Sequence, residues 1–420
     1  MSNWKPSGKS SDISKQEVMD AWKQVKEKKG APGVDGVTID NFEADLKNNL
    51  FKIWNRMSSG SYMAVAVRAV EVPKPHGDGT RVLGIPTVAE RVAQTVVANR
   101  LVEKVEPIFH PDSYGYRPKR SGLDAIELCR KRCWKYPWVL EFDIRKFFDS
   151  VDRELIIKAV EANCEIRWVI LYVKRWLHAP VVQPDGTTIE HDRGMPQGSP
   201  ISPVLANLFL HYAFDRWMAK NHPNTPFERY ADDAVIHCAS RDQAEKLVRD
   251  LGNRLTEVGL QLHPDKTRIV YCKDQNRKLD YEHTSFTFLG FTFRARSAKG
   301  RNGKSFTAFL PAVSKAALNK MSRELREKRI HQRTGCTLEQ LAGEINPFVR
   351  GKMQYYGAFY RSAMYPFLQR VNAYVMRWLR KKFRRLQSIK KAEAAWKRIT
   401  IQQPKLFAQW AWTPGSWWQG

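Results

Sequence analysis

Three carboxylates are the residues of this chain best placed to do chemistry: the adjacent pair Asp232 and Asp233, and Asp143. The pair lies between two short apolar, β-prone pieces, Phe227 and Tyr230 before it and Ala234, Val235 and Ile236 after it. That pattern predicts a tight hairpin with both carboxylates at its tip. Asp is depleted in strands, so two of them here need a reason. A divalent cation between them would relieve their repulsion, and hard Mg²⁺ takes one or two protein carboxylates with substrate phosphates completing its octahedron. A plain polar turn is the competing reading, and for an isolated Asp-Asp it is the better one. The third carboxylate shifts the balance. Val139, Leu140 and Phe142 predict a buried strand ending at Asp143, and the end of a buried strand is the rim where sites are built.

Groups able to hold a phosphorylated ligand are spread along the same chain. Residues 67–86 alternate apolar side chains around Lys74-Pro75-His76-Gly77-Asp78-Gly79-Thr80-Arg81, a β-hairpin with a basic turn. Lys74 and Arg81 would stand near its two strand ends and could close over a triphosphate, the Arg as a fork and the Lys as a point charge. A solvated hairpin tip is the commoner fate of such a pair. Residues 193–203, RGMPQGSPISP, form a Gly- and Pro-rich loop leading into an apolar helix over 201–218. Gly194 and Gly198 allow backbone N–H groups there to face a ligand, and Gln197 can donate or accept. Phe148, five residues beyond Asp143, is bulky and apolar, close to where a bound nucleotide's sugar would lie. Lys266, in HPDKT, falls on the side of the carboxylates. Asp149 and Asp152 read as a helix cap and a surface charge.

The elements that must position these groups follow from periodicity. Ser14 and Glu17 make a capping box for a helix through Val18, Trp22 and Val25, stopped at Gly30. Residues 29–37, KGAPGVDGV, form a loop whose glycines, Gly33 among them, let the backbone approach another chain. Helical periodicity covers 86–106. Residues 113–120, SYGYRPKR, then interleave aromatic and basic groups before a helix over 122–135. This suits stacking and phosphate contact with a single strand, Arg117 included, and an aromatic turn with a purely structural role fits equally well. Further helices are expected over 153–162, 165–178 and 243–258, a hairpin over 180–193, and a strand pair over 285–294 with Gly290 at its turn. From Pro311 onward the pattern is helical: 314–329, 337–358 and 363–386.

The 420 residues predict two or three domains. Lys and Arg number 70 against 43 Asp and Glu, a net charge of +27 that calls for an anionic partner. The excess concentrates in 311–420, which holds 22 Lys/Arg, five Asp/Glu and six of the 14 tryptophans. No run of 18 apolar residues exists, so a bilayer-spanning helix is not expected. The start has no apolar signal core, which argues against secretion. The six cysteines form no C-x-x-C pair, which argues against structural zinc and for a reduced compartment.

Taken in order, VPKP…TRVLGIP, SYGYRP, EFDIRKFFDSVD, GMPQGSPISPVLAN, RYADD, LHPDKT and FLGF resemble the consecutive blocks of a reverse transcriptase. KKGAPGVDGVTI before them and NPFVRGKMQYYGAFYR after them resemble the group II intron-encoded branch, the reverse transcriptase/maturases. The resemblance runs from Lys29 to Arg385. It implies an α+β, right-hand polymerase fold: an N-terminal extension over 1–28, fingers over 29–135, a palm with an antiparallel sheet over 136–300 and an α-helical thumb/maturase domain over 311–386. The basic, Trp-rich segment 387–420 is a candidate for DNA binding or for packing back on the thumb.

For the site, the resemblance implies two Mg²⁺ ions held by Asp143, Asp232 and Asp233. Lys74 and Arg81 would grip the incoming triphosphate, Phe148 would exclude a ribose 2′-OH, and Gln197 would touch the template–nucleotide pair, with Ile144 in the same nucleotide pocket. Phe288, Leu289 and Gly290 resemble the primer grip. By motif order Lys266 is placed to protonate pyrophosphate, a structural salt bridge being the alternative. Gly33, Arg117, Lys381, Lys382, Arg384 and Arg385 are expected to touch template or intron RNA. The implied partners are group II intron RNA, an RNA template with a DNA primer, target DNA and deoxynucleoside triphosphates, with no membrane, in a bacterial cytoplasm or nucleoid. Two other functions stay open: an RNA-binding splicing cofactor without polymerase activity, and a free-standing relative recruited to DNA repair. Many relatives have Thr where Met195 stands. Nothing after residue 386 resembles the family's Cys/His-rich endonuclease cassette, so target cleavage is not expected of this chain.

Overall fold

The computed structural model describes residues 12–73, 80–190, 192–300 and 302–413. They form two compact units, each drawn from two separated stretches: 12–121 with 140–268, and 122–139 with 269–413. Eleven strands occur among the described residues. They are β1 (Val67–Pro73), β2 (Thr80–Ile85), β3 (Trp138–Phe142), β4 (Val181–Val182), β5 (Thr188–Ile189), β6 (Phe227–Tyr230), β7 (Asp233–Cys238), β8 (Arg268–Tyr271), β9 (Ser285–Phe288), β10 (Phe291–Lys299) and β11 (Ser305–Val313).

In the first unit, β1 and β2 pair antiparallel from Arg68↔Ile85 to Pro73↔Thr80, the hairpin expected from their alternation. Their sheet runs β2-β1-β4-β5. The helix Val88–Val105 starts on Thr87, whose side chain accepts from the Glu90 N–H. Most of its first ten residues are buried whatever face they lie on. A helix buried nearly all round lies inside a core, and this one takes polar groups in with it. One of those residues is Glu90, whose carboxylate accepts from the Trp176 indole at 2.5 Å and the Val65 N–H at 3.2 Å. Burial pushes its carboxyl up to about 7.

A second sheet runs β6-β7-β3-β8. β3 is buried along its length except at Glu141, as a central strand should be. The helix expected over 201–218 is instead three pieces: Ser202–Leu210, a π-helical turn His211–Asp215, and Arg216–Asn221. Arg254 donates to the carbonyls of Ala213 at 3.0 Å and Tyr212 at 3.2 Å, so the widened turn keeps partners for its backbone.

In the second unit, β9, β10 and β11 form an antiparallel sheet, and the helix Gly122–Lys135 belongs with it rather than with the elements that precede it in sequence. Helices Lys315–Glu327, Leu338–Tyr356 and Tyr365–Lys382 follow, close to the periodicity, with Ser314 and Thr337 as N-caps. A fourth helix, Ile389–Gln402, lies where no element was expected. Its Trp396, together with Phe407 and Trp410 beyond it, is buried in one core with Met321, Leu341, Val371 and Trp378. The Asn372 amide donates to the Thr413 carbonyl at 2.8 Å, and its oxygen accepts from Gln409 and Trp410. Residues 389–413 thus pack against the three helices that precede them.

Candidate active site

The β6–β7 hairpin closes with Tyr230 opposite Asp233, leaving Ala231 and Asp232 as a two-residue turn. Ala231 takes φ +57°, a left-handed conformation that a two-residue turn demands and that an alanine resists. Buried neighbours hold it there. The Arg229 guanidinium donates to the Ala231 carbonyl at 3.0 Å and to Asn207 Oδ1 at 3.0 Å, while the Asn207 amide donates to the Gly115 carbonyl at 2.6 Å. Asp215 anchors Arg229 from the π turn. Burial raises the Asp215 carboxyl's pKa, but the Arg229 charge and hydrogen bonds outweigh that and hold it below the usual range. A Cβ on Gly115 would stand 2.4 Å from the Ala231 nitrogen, so only glycine permits the approach. Asn207, Asp215 and Arg229 escaped the sequence reading, because a charge buried by tertiary contact has no periodic signature.

Asp143 follows β3. The His263 N–H donates to its carbonyl at 2.8 Å and the Arg145 N–H to the Gln261 carbonyl at 2.9 Å, so the backbone is pinned directly after it. Ile144 between them bridges to Leu262 with its side chain buried. Lys266, on the turn Pro264–Lys266, donates to Asp143 Oδ2 at 2.5 Å. Asp232 is half-buried; burial pushes its carboxyl above the usual range, and the negative charge of Asp143 pushes the same way. Asp233 opens β7, also half-buried. Asp143 makes Asp232 costlier to ionise, and an ammonium is already drawn to Asp143, so together they offer a hard-oxygen donor set short of positive charge. That chemistry fits Mg²⁺.

The loop after Arg193 is stitched to its surroundings on two sides. The Gly84 N–H in β2 donates to the Gln197 carbonyl at 2.7 Å, and the Met195 N–H to the Phe148 carbonyl at 2.8 Å. Gln197 and Phe148 are thereby brought together with the strand that carries Arg81, which is exposed. The Gly194 N–H, expected to face a ligand, is instead spent on the Val151 carbonyl at 2.8 Å. Asp152 is the helix cap, accepting from the Leu155 N–H. Lys74 lies outside the described residues.

Three residues expected to touch RNA have close neighbours within the chain itself. Arg117 has its guanidinium on both Glu106 oxygens and on the carbonyls of His110 and Ser113, with 5% of the side chain exposed. Gly33 is buried, and the backbone it approaches is its own chain's: a Cβ would stand 2.6 Å from the Thr87 nitrogen. The Lys382 ammonium donates to the Cys336 carbonyl and lies over the Trp378 ring. Lys381, Arg384 and Arg385 are exposed. Within the second unit, Leu289 and Gly290 form the two-residue turn of the β9–β10 hairpin, both at positive φ. Tyr355 donates to the Leu289 carbonyl at 3.1 Å, and Phe288 is buried beneath.

Residues 72–293 match the family model for reverse transcriptase (RNA-dependent DNA polymerase), and residues 318–397 match the group II intron, maturase-specific domain. The chain belongs to the reverse transcriptase family, in its group II intron-encoded branch. Among curated proteins it is similar to Protein YkfC of Escherichia coli K12, 29% identical over 312 residues that cover 65% of this chain and 79% of that protein. It is similar also to the group II intron-encoded protein LtrA of Lactococcus lactis subsp. cremoris, 28% identical over 267 residues, 62% of this chain and 44% of that one. A third relative is the putative COX1/OXI3 intron 1 protein of Saccharomyces cerevisiae, 26% identical over 345 residues, 68% of this chain and 41% of that one. The chain spans less than half the length of these last two. No helix among the described residues is long and apolar enough to cross a membrane.

Proposed function

We propose that this chain is an RNA-directed DNA polymerase that extends a DNA primer on an RNA template, and that it also assists group II intron splicing and mobility as a maturase. The observation that carries the reading is the contact of Asp143 with Lys266 beside the half-buried Asp232, inside the segment that matches the polymerase family. In this reading 29–135 act as fingers, 136–300 as palm and 311–386 as thumb, with 389–413 built into the thumb.

Asp143, Asp232 and Asp233 would hold two Mg²⁺ ions, which when bound lower the pKa of the primer 3′-OH and neutralise the departing pyrophosphate. Lys266 shields Asp143 in the meantime; released from it, Nζ can give its proton to the leaving pyrophosphate. Arg81, with Lys74, grips the triphosphate as a fork and a point charge. Phe148 blocks the ribose 2′-OH. Gln197, with its carbonyl fixed by Gly84, reads the nascent pair, and Ile144 serves the nucleotide through its backbone because its side chain is buried. Phe288, Leu289 and Gly290 steady the primer. Lys381, Arg384 and Arg385 offer exposed cations to intron RNA, template–primer or target DNA.

The test is deoxynucleotide incorporation on an RNA template with an annealed DNA primer in Mg²⁺, for wild type and Asp232→Ala/Asp233→Ala. Extension lost in the double variant is the expected result. A folded wild type that binds RNA but extends nothing would overturn it in favour of the splicing cofactor, the second reading favoured by the maturase match over 318–397. Splicing assistance should survive loss of the aspartates, so the two activities separate cleanly.

A further inference from the structure

Tyr116 is a large aromatic side chain that the fold leaves 59% exposed beside the hairpin bearing Asp232. Both of its neighbours are tied down. Gly115 abuts the Ala231 nitrogen and its carbonyl is held by Asn207; the Arg117 guanidinium is committed to Glu106 and to carbonyls. Tyr116 itself takes φ +56°, a conformation uncommon for a bulky residue. Strain of this kind persists where the surroundings over-determine it, and here the residue it aims is one that makes little use of the core. The ring stands 6.1 Å from that of Tyr230, tilted at 48°. The charges that bear on its hydroxyl include Asp232 and Arg81, which act on it in opposite directions.

A structural tyrosine would be buried with its hydroxyl partnered, as Tyr172 is on the Met57 carbonyl at 2.8 Å. Tyr116 presents its ring outward, within electrostatic reach of both Asp232 and Arg81. Bare anions are poorly served by a ring beside carboxylates, whereas every nucleobase has a face that an aromatic ring can stack on. We propose that the Tyr116 ring is a stacking face for a nucleobase at the point of nucleotide addition, contributed by the incoming nucleotide or by the template–primer terminus. This rests on the polymerase reading above.

The experiment compares wild type with Tyr116→Ala, Tyr116→Leu and Tyr116→Phe in steady-state primer extension and in equilibrium binding of labelled template–primer, after thermal melts confirm folding. The Ala and Leu variants should lose between about fivefold and a hundredfold in apparent affinity, with kcat near wild type and Phe restoring the loss. A rise in KM for the deoxynucleotide alone assigns the base to the incoming nucleotide; a rise in template–primer Kd assigns it to the strands. Unchanged KM and Kd overturn the proposal. So does an equal fall of kcat in the Ala and Phe variants, which would make the hydroxyl the working group. An inert wild type sinks the polymerase reading separately: strand affinity still weakened by Tyr116→Ala would keep the stacking face, and equal affinity would remove it too.

Discussion

Arg229 and Asp215 meet as a buried two-pronged ion pair, Nε 2.7 Å from Oδ1 and Nη2 2.6 Å from Oδ2. The same guanidinium holds the Ala231 carbonyl, so the aim of Asp232 depends on a carboxylate that takes no part in the chemistry. Removing one partner of a buried pair strands the other's charge, at about 3–5 kcal/mol. Asp215→Ala should therefore lower the urea midpoint and extension together. Replacing both, as Asp215→Leu with Arg229→Met, should recover much of the stability and little of the extension, because Ala231 still lacks its donor. Wild-type extension by that double variant would contradict the positioning role.

Glu90 makes the fold sensitive to pH. Its carboxyl, pushed by burial from 4.5 to about 7, binds in the folded state a proton that the unfolded chain releases near its ordinary value. Since the folded value is the higher one, this stability is fully present below about 4.5 and is lost as pH rises through about 7, a change of about 3 kcal/mol. Urea unfolding at pH 5 and pH 8 should show wild type losing more stability than Glu90→Gln across that interval. Parallel losses would mean that Glu90 ionises normally.

Phe148 is half-buried, its ring 5.2 Å from buried Phe147 and its carbonyl fixed by Met195. Phe148→Val should open space for a ribose 2′-OH and raise ribonucleotide incorporation on the order of tenfold against deoxynucleotides. A nucleotide-competition assay reads this directly, and unchanged sugar selectivity would remove Phe148 from the gate.

Asn372 joins the last helical core to the tail through Thr413, Gln409 and Trp410. Asn372→Ala leaves buried polar groups without partners and should cost about 1–3 kcal/mol for each one stranded. Removing 389–413 should do more, exposing the core that Trp396, Phe407 and Trp410 close. Chemical denaturation followed by tryptophan fluorescence should report a lower midpoint for the first and a broadened transition for the second. An unaltered transition in the truncated chain would show the segment to be an accessory.

What was legible in the sequence was local. Alternation around residues 230–233 announces a two-residue turn, and a run of apolar residues ending at Asp143 announces a central strand. Both follow from the period of two that a strand imposes. Side-chain type did not reveal allegiance: Arg117, between aromatic residues, has the composition of an RNA contact and is spent internally on Glu106. Gly33 has the freedom to approach another backbone closely, and within the fold it approaches Thr87 of its own chain. The helix Ile389–Gln402 was missed because its buried side is largely Ala392, Ala395 and Trp396, a thin stripe among lysines.

The π turn His211–Asp215 has a consequence for how this site can change. One extra residue in a helical turn rotates everything after it by about 100° relative to what precedes it. Asn207 lies before the turn and Asp215 at its end, yet both reach the same guanidinium. The agreement is therefore one of phase, set by residue count as well as residue identity. Point substitutions at 208–214 leave that count intact, whereas losing a single residue there would swing the carboxylate away from Arg229 with every remaining side chain unaltered.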